Sequence, residues 1–225
     1  MATHLDLEEQ EQLDQLKHFW KSYGNLITWV LIVVFGAIAA WNGYQYWQRR
    51  QAVQAAALYD EVERAAQAPD LARLERSLSD MKERFGGTTY AQQAGLMAAR
   101  TFHDKAQPAP AKAALAWVAE ASADEGLRAV ARLRLVSLLV DEKSYDEAIK
   151  QLSGEFPKDF AALVADRRAD VLLLQGKKAE AAAEYGKAYK LLDAQADYRQ
   201  LVAVKLTSLG VDPEAKASAA AQEAK

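Results

Sequence analysis

Three histidines, a set of arginines and one glycine–threonine string are the residues of this 225-residue chain whose types could do chemistry. The histidines are His4, His18 and His103. Metal binding or proton transfer asks for a second histidine or a carboxylate on the same helix face, three or four residues away. Only His18 has such a neighbour, Asp14, and one pair in an N-terminal arm does not make a metal site. His103 is followed by Asp104, but adjacent helical residues point to different sides and are not a ready dyad. His103 is therefore expected to face solvent or to line a groove. Gly86-Gly87-Thr88-Thr89 could be imagined around a phosphate. It lacks the lysine and the spacing of a P-loop and reads as a helix–helix turn. No Gly-x-Ser-x-Gly, His-Glu-x-x-His or dinucleotide fingerprint occurs. The absence of cysteine excludes disulfides, thiolate zinc sites and cysteine nucleophiles. The chain reads as non-enzymatic, with no cofactor and no metal.

Recognition remains, and it depends on the elements that carry these residues. The hydrophobic fraction is 51% and the charged fraction 26%, which suits an ordered protein. Alanine fills 46 positions, while glycine and proline together fill 16, so helices are favoured over an all-β fold. Net charge is −3, all of it in residues 1–21, where Asp6, Glu8, Glu9, Glu11 and Asp14 face Lys17 and Lys21. The rest of the chain balances 26 acids with 26 bases, which argues against binding driven by nucleic-acid phosphates.

Between Lys21 and Arg49 lie 27 residues without a formal charge. Leu26–Trp47 is long enough to cross a bilayer core, which needs about 20 helical residues. Trp20 and Tyr23 precede its apolar heart, and Trp41, Tyr44, Tyr46 and Trp47 follow it, as in an interfacial aromatic belt. Leu26, Trp29, Phe35, Trp41 and Trp47 are the residues expected to meet lipid. Ala37-Ile38-Ala39 resembles a cleavage site, but the stretch before it is too long and too acidic for a signal peptide. Flanking charges do not settle the orientation: Lys17 and Lys21 stand on one side, Arg49, Arg50 and Arg64 on the other. The arm before the span reads equally as a short amphipathic helix, with Leu13, Leu16 and Trp20 on one face, or as an acidic tail.

After the span the helical pattern runs on to Gln67, where Pro69 stops it and Asp70 can cap the next helix. That helix, about 70–85, buries Leu71, Leu74, Leu78, Met81 and Phe85. From Tyr90 the chain falls into helix pairs: 90–105 with 111–122, 127–142 with 145–153, and 159–174 with 177–192. Ala111, Ala148 and Ala181 anchor the second helices at intervals of 37 and 33 residues. Twelve residues before each anchor stand Ala99, Val136 and Ala169; four after stand Leu115, Leu152 and Tyr185. Small residues where two helices cross, repeating at about 34 residues, describe stacked helix pairs. A last helix, about 196–209, caps them, and residues 211–225 read as a frayed, low-complexity tail.

This register resembles the tetratricopeptide repeat. Lys143-Ser144-Tyr145-Asp146-Glu147-Ala148-Ile149 is close to that family's turn, although Arg132 and Val136 depart from its first-helix pattern and Pro108 and Pro110 interrupt unit one. First helices of such solenoids line the concave face, where ligands bind. Matching positions offer Leu96, Arg100 and His103, then Leu133, Ser137 and Val140, then Asp166, Asp170 and Leu173, with Arg134, Arg167 and Arg168 on the same first helices. The arginines could read a peptide carboxylate or an acidic partner, or they could be ordinary solvated positions. Trp117 is either core or a partner's anchor, and core is preferred.

The whole order also resembles the YfgM-type ancillary subunits of the bacterial SecYEG translocon. The carrying stretches are Glu11–Asn25, Trp41–Trp47, Thr89–Ala99 and Ala161–Gly176 with its Val-Ala-Asp-Arg-Arg core. The fold expected is all-α: one N-terminal transmembrane helix and a tetratricopeptide-like solenoid. The expected segments are a cytoplasmic acidic arm (1–21), the span (22–48), a linker helix and capping helix (49–89), repeats with a C-terminal capping helix (90–210) and a flexible tail (211–225). The resemblance implies an inner-membrane protein with periplasmic repeats. Its implied partners are the translocon, a membrane-anchored periplasmic chaperone of the PpiD type, unfolded secretory chains and the lipid bilayer. The alternatives are a tethered scaffold for another envelope assembly process, or a regulator acting through the arm.

Overall fold

In the computed structural model, which describes residues 7–213, apolar periodicity and local capping produce nine α-helices among those residues. They are α1 (Leu7–Gln67), α2 (Leu71–Phe85), α3 (Thr89–Asp104), α4 (Pro108–Ala121), α5 (Glu125–Asp141), α6 (Tyr145–Leu152), α7 (Ala161–Leu174), α8 (Lys178–Leu191) and α9 (Asp197–Ser208). No strand occurs among the described residues. Asp70 caps α2 as expected, accepting from the backbone N–H of Arg73 at 3.1 Å, and Thr88 caps α3, accepting from that of Ala91 at 3.3 Å. Asp124 does the same for α5 through Leu127 at 2.9 Å. Pro108, which looked like an interruption, opens α4, where its missing N–H would have had no helical partner.

The chain divides into two compact units, Met1–Val53 and Gln54–Lys225. The first contains the one stretch among the described residues that is long and apolar enough to cross a membrane. Leu26, Trp29, Phe35, Trp41 and Trp47 are 56–64% exposed there, so the helix has no protein core to bury them. That is what a lipid-facing helix looks like without its lipid, and it separates the segment from a soluble core helix. Leu13, Leu16 and Trp20 of the arm are helical and exposed, while residues 1–6, with His4, lie outside the described residues. So do residues 214–225 of the expected tail.

The second unit stacks helix pairs in the expected register. Ala111, Ala148 and Ala181 have no exposed surface, and Ala99, Val136 and Ala169 are buried with them. Leu115, Leu152 and Tyr185 fill the next turn. Each first helix closes alike: Ala106, Lys143 and Gly176 adopt positive φ, at 56°, 61° and 79°. The following N–H then reaches back to Phe102, Leu139 or Leu172 at 2.8–2.9 Å. This is the six-to-one bond of a Schellman turn, which satisfies a carbonyl the helix leaves free. Before the first pair, the end of α1 buries Ala55, Val62 and Ala65 in the same cluster as Leu74, Leu78 and Met81 of α2.

Close approach of α3 to α4 depends on Gly95. A Cβ there would lie 2.6 Å from Val118 Cγ2 and 3.2 Å from the Trp117 ring. Trp117 is half-buried against the core, and the Lys82 ammonium sits 5.1 Å from its ring centroid. It packs as core, as preferred. Desolvation by burial holds Lys82 below its ordinary pKa, partly opposed by the charge of Glu75.

The apolar side chains separate into two clusters. One runs from α1 to α7 and includes Val164 and Val171; the other holds Ala165, Ala169 and Leu172 of α7 with Ala181, Tyr185 and Ala188 of α8 and Val202 and Leu206 of α9.

Candidate functional site

First helices place their outward positions one turn apart, so neighbouring pairs can combine them in one surface. Between α3, α4 and α5 this produces an open groove of about 370 Å³. Ala99, Leu115 and Leu138 form its apolar floor, and Arg100, His103, Arg134, Ser137 and Asp141 stand around it. Three of the expected groove residues, Arg100, His103 and Arg134, therefore come together from two successive units. Arg100 is 3.7 Å from Asp104 in an exposed pair that holds it weakly. Arg134 is exposed and makes no hydrogen bond or ion pair among the described residues. Its guanidinium is free to meet a carboxylate with two parallel bonds.

The groove also joins His103 to a carboxylate of the next unit, Asp141. No hydrogen bond links them, and the imidazole has no orienting partner among the described residues. The described residues contain no cluster of three or more metal-ligating side chains.

The other expected groove residues are placed differently. Leu96 and Leu133 belong to the buried core beneath the first helices. Their positions in the repeat are right, but an apolar side chain at the pair boundary is drawn inward by its neighbours. Asp166 has no exposed surface. Its Oδ2 accepts from the Tyr198 hydroxyl at 2.5 Å and its Oδ1 from the Lys205 ammonium at 2.8 Å. Asp170 Oδ1 accepts from Tyr185 at 2.5 Å and from Lys205 at 2.7 Å, and Arg167 approaches its other oxygen at 3.3 Å. These two aspartates dock α9 and α8 onto α7, Asp166 fully buried and Asp170 partly so. Arg168 is partly buried, donating to the Leu152 carbonyl at 2.7 Å and lying 4.0 Å from Glu184. A buried charge must be paired and hydrogen-bonded, and α8 and α9 bring the partners that the α7 sequence does not contain.

Both tyrosines of this network hold their protons unusually tightly. Burial pushes the Tyr185 phenol well above its ordinary pKa, followed by its hydrogen bond to Asp170 and the charges of Asp170 and Asp166. Tyr198 is raised likewise, by burial first and then by its bond to Asp166. Ser137 and Asp141 complete the groove; Ser137 shares the register of Arg100, whereas Asp141 lies one helical turn further on, at the end of α5.

Comparison with known proteins fits this geometry. A family model described as a tetratricopeptide repeat-like domain matches residues 17–211. The ancillary SecYEG translocon subunit of Neisseria gonorrhoeae is 34% identical over 213 residues, covering 93% of this chain and 100% of that protein. The protein of the same name from Escherichia coli is 28% identical over 206 residues, covering 90% of this chain and 97% of its own length. That from Haemophilus influenzae is 28% identical over 175 residues, or 78% of this chain and 85% of its own.

Proposed function

The chain belongs to the tetratricopeptide repeat-like family of ancillary SecYEG translocon subunits, and from that membership we propose that it is a membrane-anchored interaction module of the translocon. Its arm lies in the cytoplasm and its repeats in the periplasm. The repeats help pass translocated chains to a membrane-anchored periplasmic chaperone of the PpiD type, and nothing is turned over. One observation carries this reading: an exposed groove with an apolar floor and an uncommitted arginine, on a chain that also bears one apolar helix long enough to span a bilayer. Confinement to a plane raises the effective concentration of the repeats near membrane partners without any new contact. The groove supplies the contact, an extended segment laying an apolar side chain on Leu115 and Leu138 and a carboxylate on Arg134.

Site-specific photo-crosslinking in intact cells tests this. A photo-reactive residue replaces Arg100 or Arg134, with the buried Tyr185 as the control position. Translocon subunits and a periplasmic chaperone should dominate the adducts from the groove and be absent from the control. Adducts with scattered unfolded secretory chains alone would make the protein itself the holdase. Adducts with cytoplasmic proteins alone would reverse the orientation and end this reading.

A further inference from the structure

Where the apolar span of α1 gives way to polar sequence, the helix shows two different faces. On one, Tyr44, Trp47 and Gln48 satisfy one another. The Gln48 amide donates to the Tyr44 hydroxyl at 2.9 Å, and the Tyr44 and Trp47 rings stack with centroids 6.2 Å apart. On the opposite face, Tyr46, Arg49 and Arg50 are neighbours at three- and four-residue spacing, and all three are exposed. The Arg50 guanidinium lies 4.9 Å from the centroid of the Tyr46 ring, one turn back toward the span. Arg49 makes no hydrogen bond, ion pair or ring contact among the described residues. No acidic residue stands between Asp14 and Asp60 in the sequence, so neither arginine has a carboxylate within two turns of its own helix.

We propose that Tyr46, Arg49 and Arg50 form a seat for one anionic phospholipid, whose phosphate is held by the two arginines. The aromatic belt of Trp41, Tyr44, Tyr46 and Trp47 places this end of the helix at the headgroup layer. A helical side chain leans toward the N-terminus of its helix, which aims both arginines back at that layer. A guanidinium meets phosphate oxygens with two parallel, charge-assisted bonds. The Tyr46 ring holds one guanidinium in place beforehand, which lowers the cost of ordering it around a ligand. The charge pattern selects the class of lipid. A zwitterionic headgroup brings an ammonium that needs a carboxylate, and this stretch offers it only two further cations. An anionic headgroup brings the one charge that the arginines lack. Gly43, one turn below Tyr46 on the same face, has open space where a Cβ would stand, which leaves room below the ring for the first methylenes of the lipid. The site rests on the membrane span alone, and neither on the translocon role nor on the orientation.

Native mass spectrometry of the full chain tests this, with the protein released from detergent micelles doped with phosphatidylglycerol or with phosphatidylcholine of the same acyl chains. The chain should retain one phosphatidylglycerol about tenfold more often than one phosphatidylcholine, and Arg49→Gln with Arg50→Gln should abolish that preference. Lys17→Gln with Lys21→Gln, at the opposite end of the span, should leave it intact. Excess inorganic phosphate should leave it intact too, because a free ion has no acyl chain to anchor it. Equal retention of the two lipids, a preference that survives loss of both arginines, a preference lost in the lysine variant, or displacement by inorganic phosphate would each overturn the proposal. None of these results would alter the crosslinks expected from the groove, so the two readings fail separately.

Discussion

The Lys205 ammonium of α9 lies 2.8 Å from Asp166 of α7, a carboxylate with no exposed surface and 39 positions away in sequence. The same ammonium is 2.7 Å from Asp170, so one cation holds two carboxylates together. Lys205→Met would leave both acids facing each other in a poorly hydrated place. We expect a loss of about 3 kcal/mol, the scale for removing one partner of a buried pair. Urea unfolding of the full chain in detergent measures it. Adding Asp166→Leu should recover part of the loss, and a double variant worse than the sum of the singles would contradict the pairing.

The tyrosines of the same network set an alkaline limit. Tyr185 and Tyr198 both titrate above their ordinary value of 10.0 in the folded chain. The folded state therefore keeps phenolic protons that the unfolded chain would release. This contribution is complete below about pH 10 and fades as pH rises through the raised folded values. Melting temperature should fall as pH rises from about 10 to 12, and the fall should be shallower when both residues are phenylalanine. An identical slope in that double variant would remove the tyrosines from the cause.

Gly95→Ala tests the closest helix contact. The new methyl would meet Val118 Cγ2 at 2.6 Å, and Val118 is fully buried with no room to turn away. Overpacking of this kind costs about 1–3 kcal/mol. In a Val118→Ala background the same change should cost much less, as thermal melts of the four variants would reveal.

The three positive-φ turns make opposite predictions at different residues. Lys143 holds φ 61° with a side chain that disfavours it, while Gly176 holds 79° without penalty. Lys143→Gly should therefore stabilise the chain by about 1 kcal/mol, and Gly176→Ala should destabilise it by a similar amount. Equal destabilisation by both would mean that the turns are not equivalent.

Much of the fold was legible because its cause is local. Caps at Asp70 and Thr88, and the recurrence of Ala111, Ala148 and Ala181, follow from sequence spacing alone. The groove was half legible. Arg100 and His103 were found because they hold repeat positions and Arg134 because it stands beside one, and Asp141 was missed because it lies one turn further along α5. Asp166, Arg168 and Asp170 read as outward positions of α7, yet Asp166 has no exposed surface and Arg168 and Asp170 are only partly exposed. What encloses them are Tyr185, Glu184, Tyr198 and Lys205, brought by helices whose packing angle no single-helix pattern encodes. A charged pair at helical spacing looks the same in sequence whether it meets water or another helix.

The helix α7 is a party wall. Val164 and Val171 face one apolar cluster, while Ala165, Ala169 and Leu172 face the other. Each cluster can therefore lose its order without emptying its neighbour, and cooperativity should break along that helix. A load drawn on the C-terminal end would first part α8 and α9 from the wall, breaking the lysine–aspartate clasp, and only later disturb the groove that lies two helices further in. The molecule would give way like a zip with a stop in it, sacrificing its terminal pair before its binding surface.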